Sequence, residues 1–589
     1  MDEATPEGTQ PAYEKYQSDL IVDLMQQYGF KYVTMNPGAS FRGLHDSIVN
    51  YGEMNPKMLL CQHEETAVQI AHGYTRVTGE VMPVILHDLV GLLHGTMAVY
   101  YAFVDRAPVF VIGATGPMDE GRRRPRSDWS HTALVQGEAV RAYTKYDYQP
   151  YSIDGVPDSF MRAYSACVTE PAGPVYVCYD AMLQEEKLTR EIPMPHPDMA
   201  KAPAPMAADP AALEPMVEAL LAADRPWIMA EYTGRHKGNF EKLVELAETI
   251  GAAVWDLNGS LCFPGRHPQN LSLDQDSLRE ADALLLMDAR DWEKATAKLD
   301  STTRRVTSLM KPECLWMEVG FHELGIGSWA LDYGRYAPKT MSALGDPRVA
   351  MPQMTAIAKA KIAANPALAE KIAARKAVYA DKHQALFDGW KAQAQIDRAS
   401  SPLTLPRLAE EVWEVIKDED WVCANGTLKD WARRLWNFDK PHRHPGRALG
   451  TSTEIGLSLG AALAHKGSDK VVVALQPDGD LMFDAGALWT AAKHELPLLT
   501  VMFNNRAYYN DWEHQIRVAK VRGTDEGKAH IGMDIFDPEP DFGALARSMG
   551  MWGEGPIETP DEVGPALRRA LAVVKTGKPA LVDIITRHR

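Results

Sequence analysis

The sequence predicts an α/β protein of three doubly wound parallel-sheet domains, and three observations carry that expectation. Short β-branched or apolar runs alternate with helical patterns along the 589 residues, as strands joined by helical crossovers do. The chain is too long for one hydrophobic core, because domains run to roughly 100–200 residues. Two stretches of different character divide it: the Pro- and Ala-rich EIPMPHPDMAKAPAPMAADPAA, and an Ala/Lys-rich segment from about Thr355 to Ala394. The first reads as an extended linker, since proline fixes φ and removes amide donors. The second reads as solvated helices.

The blocks follow in order. Residues 13–185 contain the strand-like runs KYVTMN, MPVILH, APVFVIGA and GPVYVCYD. Residues 208–354 open on RPWIMAEY and continue through AAVWDL and ADALLLMDA; with no GxGxxG, this block shows no dinucleotide fingerprint. Residues 401–589 carry DWVCAN, KVVVALQPD, LPLLTVMFNN and PALVDIIT.

Composition narrows the function. Hydrophobic residues make up 46% and charged residues 24%, an ordinary globular profile. A formal net charge of -17 repels polyanions, so nucleic acid is not an expected partner. The acidic opening MDEATPEGTQ has no signal-type apolar core, and no run of about 18 apolar residues occurs, which predicts a cytoplasmic protein without a membrane span. Six cysteines lie far apart without a CxxC pair, as reduced core residues do.

Two motifs mimic active sites. GLSLG matches the nucleophile elbow around Ser458, but no apolar strand precedes it, so close helix packing is the expectation. His87 and His94 flank LHDLVGLLH at helical spacing. With no third ligand evident beside them in the sequence, a metal is not expected there.

The informative constellation is LQPDGDLMFD. Asp478 closes one strand, Asn504 and Asn505 close the next, and the intervening segment is helix-forming with Asp484 as its expected N-cap. A right-handed β-α-β crossover brings both strand ends to one edge, so Asp478 and Asn505 converge. One carboxylate, one amide oxygen and a nearby carbonyl make a partial oxygen shell that suits Mg²⁺ holding a diphosphate. Gly479 lets backbone approach, and the helix N-terminus offers amides.

PDGDLMFDAGALWTAAKHELPLLTVMFNN resembles the GDG…NN signature of thiamine diphosphate enzymes, and HEETAVQIAHGYTRVTGE resembles the other half of their site. The family is that of acetolactate synthase, benzoylformate decarboxylase and pyruvate decarboxylase. Resemblance over essentially the whole chain implies a pyrimidine-binding domain, a Rossmann-like central domain and a diphosphate-binding domain. It implies Asp478, Asn505 and the Ala507 carbonyl on Mg²⁺, with Gly479, Asp480, Tyr508, Thr427 and Ile455 as further cofactor-binding candidates. Ile455 and Leu449 both remain open as the bulky prop of the cofactor. Two departures stand out: Pro477 replaces the first Gly of the signature, and Asp480 stands where many members have Ser, its carboxylate expected to point away from the diphosphate.

By the same resemblance, Glu64 matches the essential glutamate that protonates the cofactor's aminopyrimidine ring, and its neighbour Glu65 complements the helix dipole. His87 falls where benzoylformate decarboxylase has an active-site histidine. Tyr508, Tyr509, Asn510 and His514 are candidates for substrate contact, His514 where acetolactate synthases carry Trp. HDLVGLLH departs from the acetolactate synthase segment at its position. Arg122, Arg123, Arg124 and Arg126 read as a solvated cluster, with capture of an anionic substrate as the alternative. The implied function is a thiamine diphosphate- and Mg²⁺-dependent 2-oxo acid decarboxylase or carboligase, working as a homodimer or homotetramer on a small carbonyl substrate. The alternatives are a diketone or acyloin lyase releasing no CO₂, and a non-catalytic cofactor-binding homologue.

Overall fold

A computed structural model describes residues 15–325, 335–396 and 398–588. The acidic opening, the first two residues of the expected first domain and Arg589 lie outside them. The chain packs as two compact units. One comprises the described chain before His72 together with Val81–Ala202; the other comprises His72–Glu80 and the chain from Pro203 onward.

The first unit holds one sheet. Its strands are β1 (Tyr32–Met35), β2 (Lys57–Leu60), β3 (Met82–Leu86), β4 (Val109–Thr115), β5 (Asp147–Tyr148) and β6 (Val175–Asp180), in the order β2-β1-β3-β4-β6-β5. All pair in parallel. Every residue of β3 and β4 is buried, which is why both read as continuous apolar runs rather than alternating ones. Helix α1 (Glu64–Thr78) follows β2, and α2 (Asp88–Val104) follows β3.

The second unit holds two five-stranded parallel sheets. The central sheet joins β7 (Pro226–Ala230), β8 (Ala253–Asp256), β9 (Ala283–Met287), β12 (Leu315–Gly320) and β13 (Met341–Leu344) in the order β13-β12-β9-β7-β8. A hairpin of β10 (Ala297–Leu299) and β11 (Val306–Ser308) pairs antiparallel. The C-terminal sheet joins β14 (Trp421–Cys423), β15 (Val471–Pro477), β16 (Leu498–Asn504), β17 (Trp552–Ile557) and β18 (Ala580–Ile585) in the order β14-β15-β16-β18-β17. Its core centres on Trp421 and Trp436, whose rings meet edge to face at 5.5 Å. None of the described helices is long and apolar enough to cross a membrane.

Two local expectations change. The Ala/Lys-rich segment forms two helices, Pro347–Ala364 and Ala367–Ala394, but it is not merely solvated. Arg375 is buried and donates to the carbonyls of Ala223 (2.7 Å) and Ile250 (2.7 Å), satisfying the ends of two neighbouring helices. Asp484 is not the N-cap of the helix after β15. Asp478–Leu481 closes its own turn, with Met482 N–H donating to Asp478 O at 3.2 Å, and the longer helix Ala487–Lys493 starts after Gly486.

Candidate active site

At the C-terminal edge of the third sheet, β15 and β16 run side by side in register from Val472 with Leu498 to Pro477 with Phe503. Asp478 leaves the first strand and Asn505 the second. The Ala507 amide donates to Asp478 Oδ2 at 3.2 Å and to Asn505 Oδ1 at 3.0 Å, so the two side-chain oxygens converge on one N–H. Asp478 is 1% exposed, and burial pushes its carboxyl up to about 6 against the backbone amides that bond to it. A Cβ on Gly479 would come within 2.8 Å of the Tyr508 ring, so only glycine fits there.

These residues open on a cavity of about 610 Å³. Of the sequence-derived candidates it brings together Thr427, Leu449, Asp478, Gly479, Asp480, Asn505, Ala507, Tyr508, Tyr509 and Asn510. Ile455 is fully buried in the helix Thr453–Ala464 and does not line the cavity, whereas Leu449 does. His514 lies on the helix Tyr509–Arg522 in a separate groove of about 520 Å³ with Arg304, Arg517 and Val518. Beyond the first turn of that helix the chain leads away from the cavity. Ser458 sits inside its helix, donating to the Glu454 carbonyl at 2.7 Å and bonded by Asn425 Nδ2 at 2.5 Å; it is a packing residue.

Asp480 is tied down. Its Oδ2 accepts from Gln476 Nε2 at 3.0 Å and from the Glu454 amide at 3.3 Å, at the start of that same helix. Burial lifts its carboxyl to about 6. Glu454 itself, a residue that pattern reading passed over, accepts from the Gly426 amide at 3.1 Å, and burial followed by the charge of Asp480 pushes it well up. No Lys or Arg among the described residues forms an ion pair with Asp478, Asp480 or Glu454. Leu428, Lys429 and Asp430 line the cavity in the left-handed region, at φ 50°, 53° and 69°. Such strain in non-glycine residues gathers at functional sites, and no residue type in TLKD announced it.

The first unit carries the other candidates. Glu64, 4% exposed, opens α1. Gly91 of α2 makes room for it: a Cβ there would stand 3.2 Å from Glu64 Oε1. His87 precedes α2 with Nδ1 2.9 Å from Ser40 Oγ. A Cβ on Gly38 would collide with its ring at 2.1 Å. Burial, then His131 and Arg124, lowers the His87 pKa, with Glu64 acting against them. The reading that His94 has no further candidate ligand nearby is corrected: His63, Glu64 and His94 bring one polar atom each within 4.8 Å of one another. Asp88, unnoticed in the sequence, is fully buried at φ 41°, with burial raising its carboxyl to about 6. In the arginine cluster Arg122 pairs with Glu186 at 2.9 Å and Arg124 with Asp128 at 2.7 Å.

Two family models match the chain: "Thiamine pyrophosphate enzyme, N-terminal TPP binding domain" over residues 17–134 and "Thiamine pyrophosphate enzyme, C-terminal TPP binding domain" over residues 424–584. Among curated relatives, acetolactate synthase isozyme 3 large subunit of Escherichia coli is 23% identical, covering 96% of this chain and 94% of that one. The probable acetolactate synthase large subunit of Methanocaldococcus jannaschii is 21% identical, covering 96% and 91%. Benzoylformate decarboxylase from Polynucleobacter necessarius shares the fold with a TM-score of 0.75 at 18% identity, over 97% of this chain and 99% of that one. The 4-hydroxybenzoylformate decarboxylase of Rhodococcus jostii RHA1 does so with a TM-score of 0.74 at 19% identity, over 98% and 100%.

Proposed function

We propose, from the premise that this chain belongs to the thiamine pyrophosphate enzymes, that it decarboxylates a 2-oxo acid and can pass the product on to a second carbonyl. The observation that carries this reading is the meeting of Asp478 and Asn505 oxygens on the Ala507 amide, inside a cavity where no Lys or Arg among the described residues pairs with Asp478 or Asp480. The donor set is all hard oxygen, as Mg²⁺ requires, and the glycine cradle at Gly479 leaves backbone open to a diphosphate. The residues present therefore fit the magnesium-bound cofactor.

Asp478, the Asn505 side-chain oxygen and the Ala507 carbonyl would hold Mg²⁺, and the amides that follow Asp478 would face the diphosphate. When bound, thiamine diphosphate supplies the nucleophilic carbon and the electron sink of the reaction. Glu64 would hold and return a proton at the aminopyrimidine ring, a task for a buried carboxyl. His87, whose pKa burial lowers, would accept or donate a proton beside Glu64. Tyr509 and Asn510 line the cavity where a substrate would lie, and His514 has no part in this scheme. Site halves drawn from the first and second units of different subunits would make the working form a homodimer or homotetramer, in the cytoplasm.

The test is reconstitution. Protein stripped of metal and cofactor should regain activity only when Mg²⁺ and thiamine diphosphate are both restored, releasing CO₂ from pyruvate or an aryl 2-oxo acid. Turnover of 1,2-diketones or acyloins without CO₂ would replace this reading by the lyase. Silence on every substrate despite cofactor binding would leave a non-catalytic homologue.

A further inference from the structure

Ser40 stands in a short turn, Ala39–Phe41, between β1 and β2, and is buried. Its hydroxyl has two partners among the described residues: the Asp88 amide donates to Ser40 Oγ at 3.2 Å, and His87 Nδ1 lies 2.9 Å from the same oxygen. Asp88 is locked in the conformation that makes the first contact. At φ 41° it occupies the left-handed region, which costs a non-glycine residue energy, and its carboxyl oxygens accept from the Leu89 amide at 3.0 Å and the Thr132 hydroxyl at 3.0 Å.

The hydrogens at Ser40 decide the state of the His87 ring. A hydroxyl carries one hydrogen, and here the Asp88 amide already occupies a lone pair of the oxygen. Were the neutral ring protonated at Nδ1, Ser40 Oγ would accept twice and its own hydrogen would be left without an acceptor in a buried site. With the hydroxyl donating to Nδ1 every group is satisfied, and the ring carries its hydrogen on Nε2. The imidazole is gripped in that orientation by the Gly38 backbone, which leaves no room for a Cβ, and by the Phe41 ring edge-on at 6.2 Å. Gly91 of α2 ties it to the rest of the site: a Cβ there would stand 3.2 Å from both His87 Cβ and Glu64 Oε1.

We propose that Ser40 is the positioning residue of His87: by donating to Nδ1 it fixes the Nε2–H tautomer, so that His87 meets the substrate as a hydrogen-bond donor and not as a base. The inference rests on the reading of His87 as a residue of the active site, and narrows it. The oxygen it would serve is the 2-oxo oxygen of a 2-oxo acid, on which negative charge builds as the adjoining carbon is attacked. A preset N–H stabilises that charge without first having to reorganise. No bond to hydrogen is broken and no further reagent is consumed. The charged and titratable groups around the ring are His131, at 5.9 Å between rings, Arg124, Glu64 and the adjoining Asp88.

Two measurements test the proposal. In holoenzyme labelled with ¹⁵N-histidine, with His87→Gln supplying the assignment, His87 should carry its hydrogen on Nε2, and Ser40→Ala should raise the share of the Nδ1–H form by about tenfold. A wild-type ring protonated at Nδ1 overturns the proposal whether or not the variant folds, and so does a tautomer that folded Ser40→Ala leaves unchanged. The second measurement is a double-mutant cycle on CO₂ release from pyruvate or benzoylformate. Ser40→Ala should lower kcat about tenfold with KM within about threefold, and should cost nothing further in a His87→Ala background. An equal loss in both backgrounds would make Ser40 a packing residue and overturn its action through His87. A kcat unchanged in His87→Ala would instead overturn the reading of His87 as an active-site residue. Silence on both acids would overturn the proposed activity and the donor role with it, while the tautomer still decides for or against Ser40.

Discussion

The central and C-terminal sheets each set acids at the carboxyl ends of their strands, and the two groups of acids live under different electrostatics. In the central sheet Glu231 follows β7, Asp256 ends β8 and Glu318 lies near the end of β12. Glu231 accepts from Arg447 Nη2 at 3.1 Å and from the amides of Arg290 and Asp291. Asp256 accepts three backbone amides, those of Asn258, Cys262 and Phe263, with Arg433 on its carbonyl at 2.8 Å. Glu318 pairs with Lys339, whose side chain is as buried as its own. In the C-terminal sheet Asp478 is buried and Asp480 half-buried; both receive hydrogen bonds, but no Lys or Arg among the described residues pairs with them. An acid at a strand end is therefore no sign of function. The sign is an acid with no Lys or Arg beside it among the described residues: burial raises the pKa of Asp256 and Arg433 lowers it, and no such cation acts on Asp478.

The largest effect expected is structural. Lys339→Ala leaves Glu318 charged and buried, which should cost about 3–5 kcal/mol in urea unfolding while leaving magnesium-dependent cofactor affinity at the wild-type value. A loss of cofactor affinity with unchanged stability would erase the distinction between the two sheets.

A second effect separates the pH dependence of folding from that of the site. His444, 1% exposed, bonds through Nδ1 to the Cys423 carbonyl at 2.8 Å, and burial depresses its pKa from 6.5 to about 4. The unfolded chain takes up the proton first. The stability this neutral ring contributes is whole above pH 6.5 and is lost as pH falls toward 4, by about 3 kcal/mol. Urea midpoints at pH 7.5 and 4.5 measure it, and His444→Gln should shrink the difference, leaving the share of His465, which burial also lowers to about 4. A midpoint that does not fall between those pH values in the wild type, or a slope undiminished in His444→Gln, would assign the acid limb elsewhere.

The smallest effect has the opposite sign. Asp478→Asn removes a buried charge that no Lys or Arg among the described residues pairs with, so the metal-free protein should gain about 1–2 kcal/mol at pH 7.5, read as a higher Tm without Mg²⁺. A destabilised variant would mean that the carboxylate already has a countercharge within the fold.

Much of this was legible in the sequence where chemistry and local pattern coincide. The buried strands β3, β4, β15 and β16 are unbroken apolar runs, and the β-α-β spacing brought Asp478 to Asn505. Strand β17 was missed because WGEGPI carries two glycines and a proline, weak strand formers that an edge position tolerates. The same holds for what depends on contacts remote in sequence. Nothing near Arg375 foretold that it would cap two helices, and Glu454 and His94 acquire meaning from Asp480 and Glu64. The misplaced cap at Asp484 arose because Asp478 starts a turn of its own.

The central claim is that the cavity at Asp478 holds thiamine diphosphate through Mg²⁺. Calorimetric titration of the cofactor into metal-free protein tests it most directly. Wild type should bind only when Mg²⁺ is present, and folded Asp478→Asn should bind at least about a hundredfold more weakly with Mg²⁺. Binding that ignores Mg²⁺, or a folded Asp478→Asn variant with wild-type affinity, would contradict it.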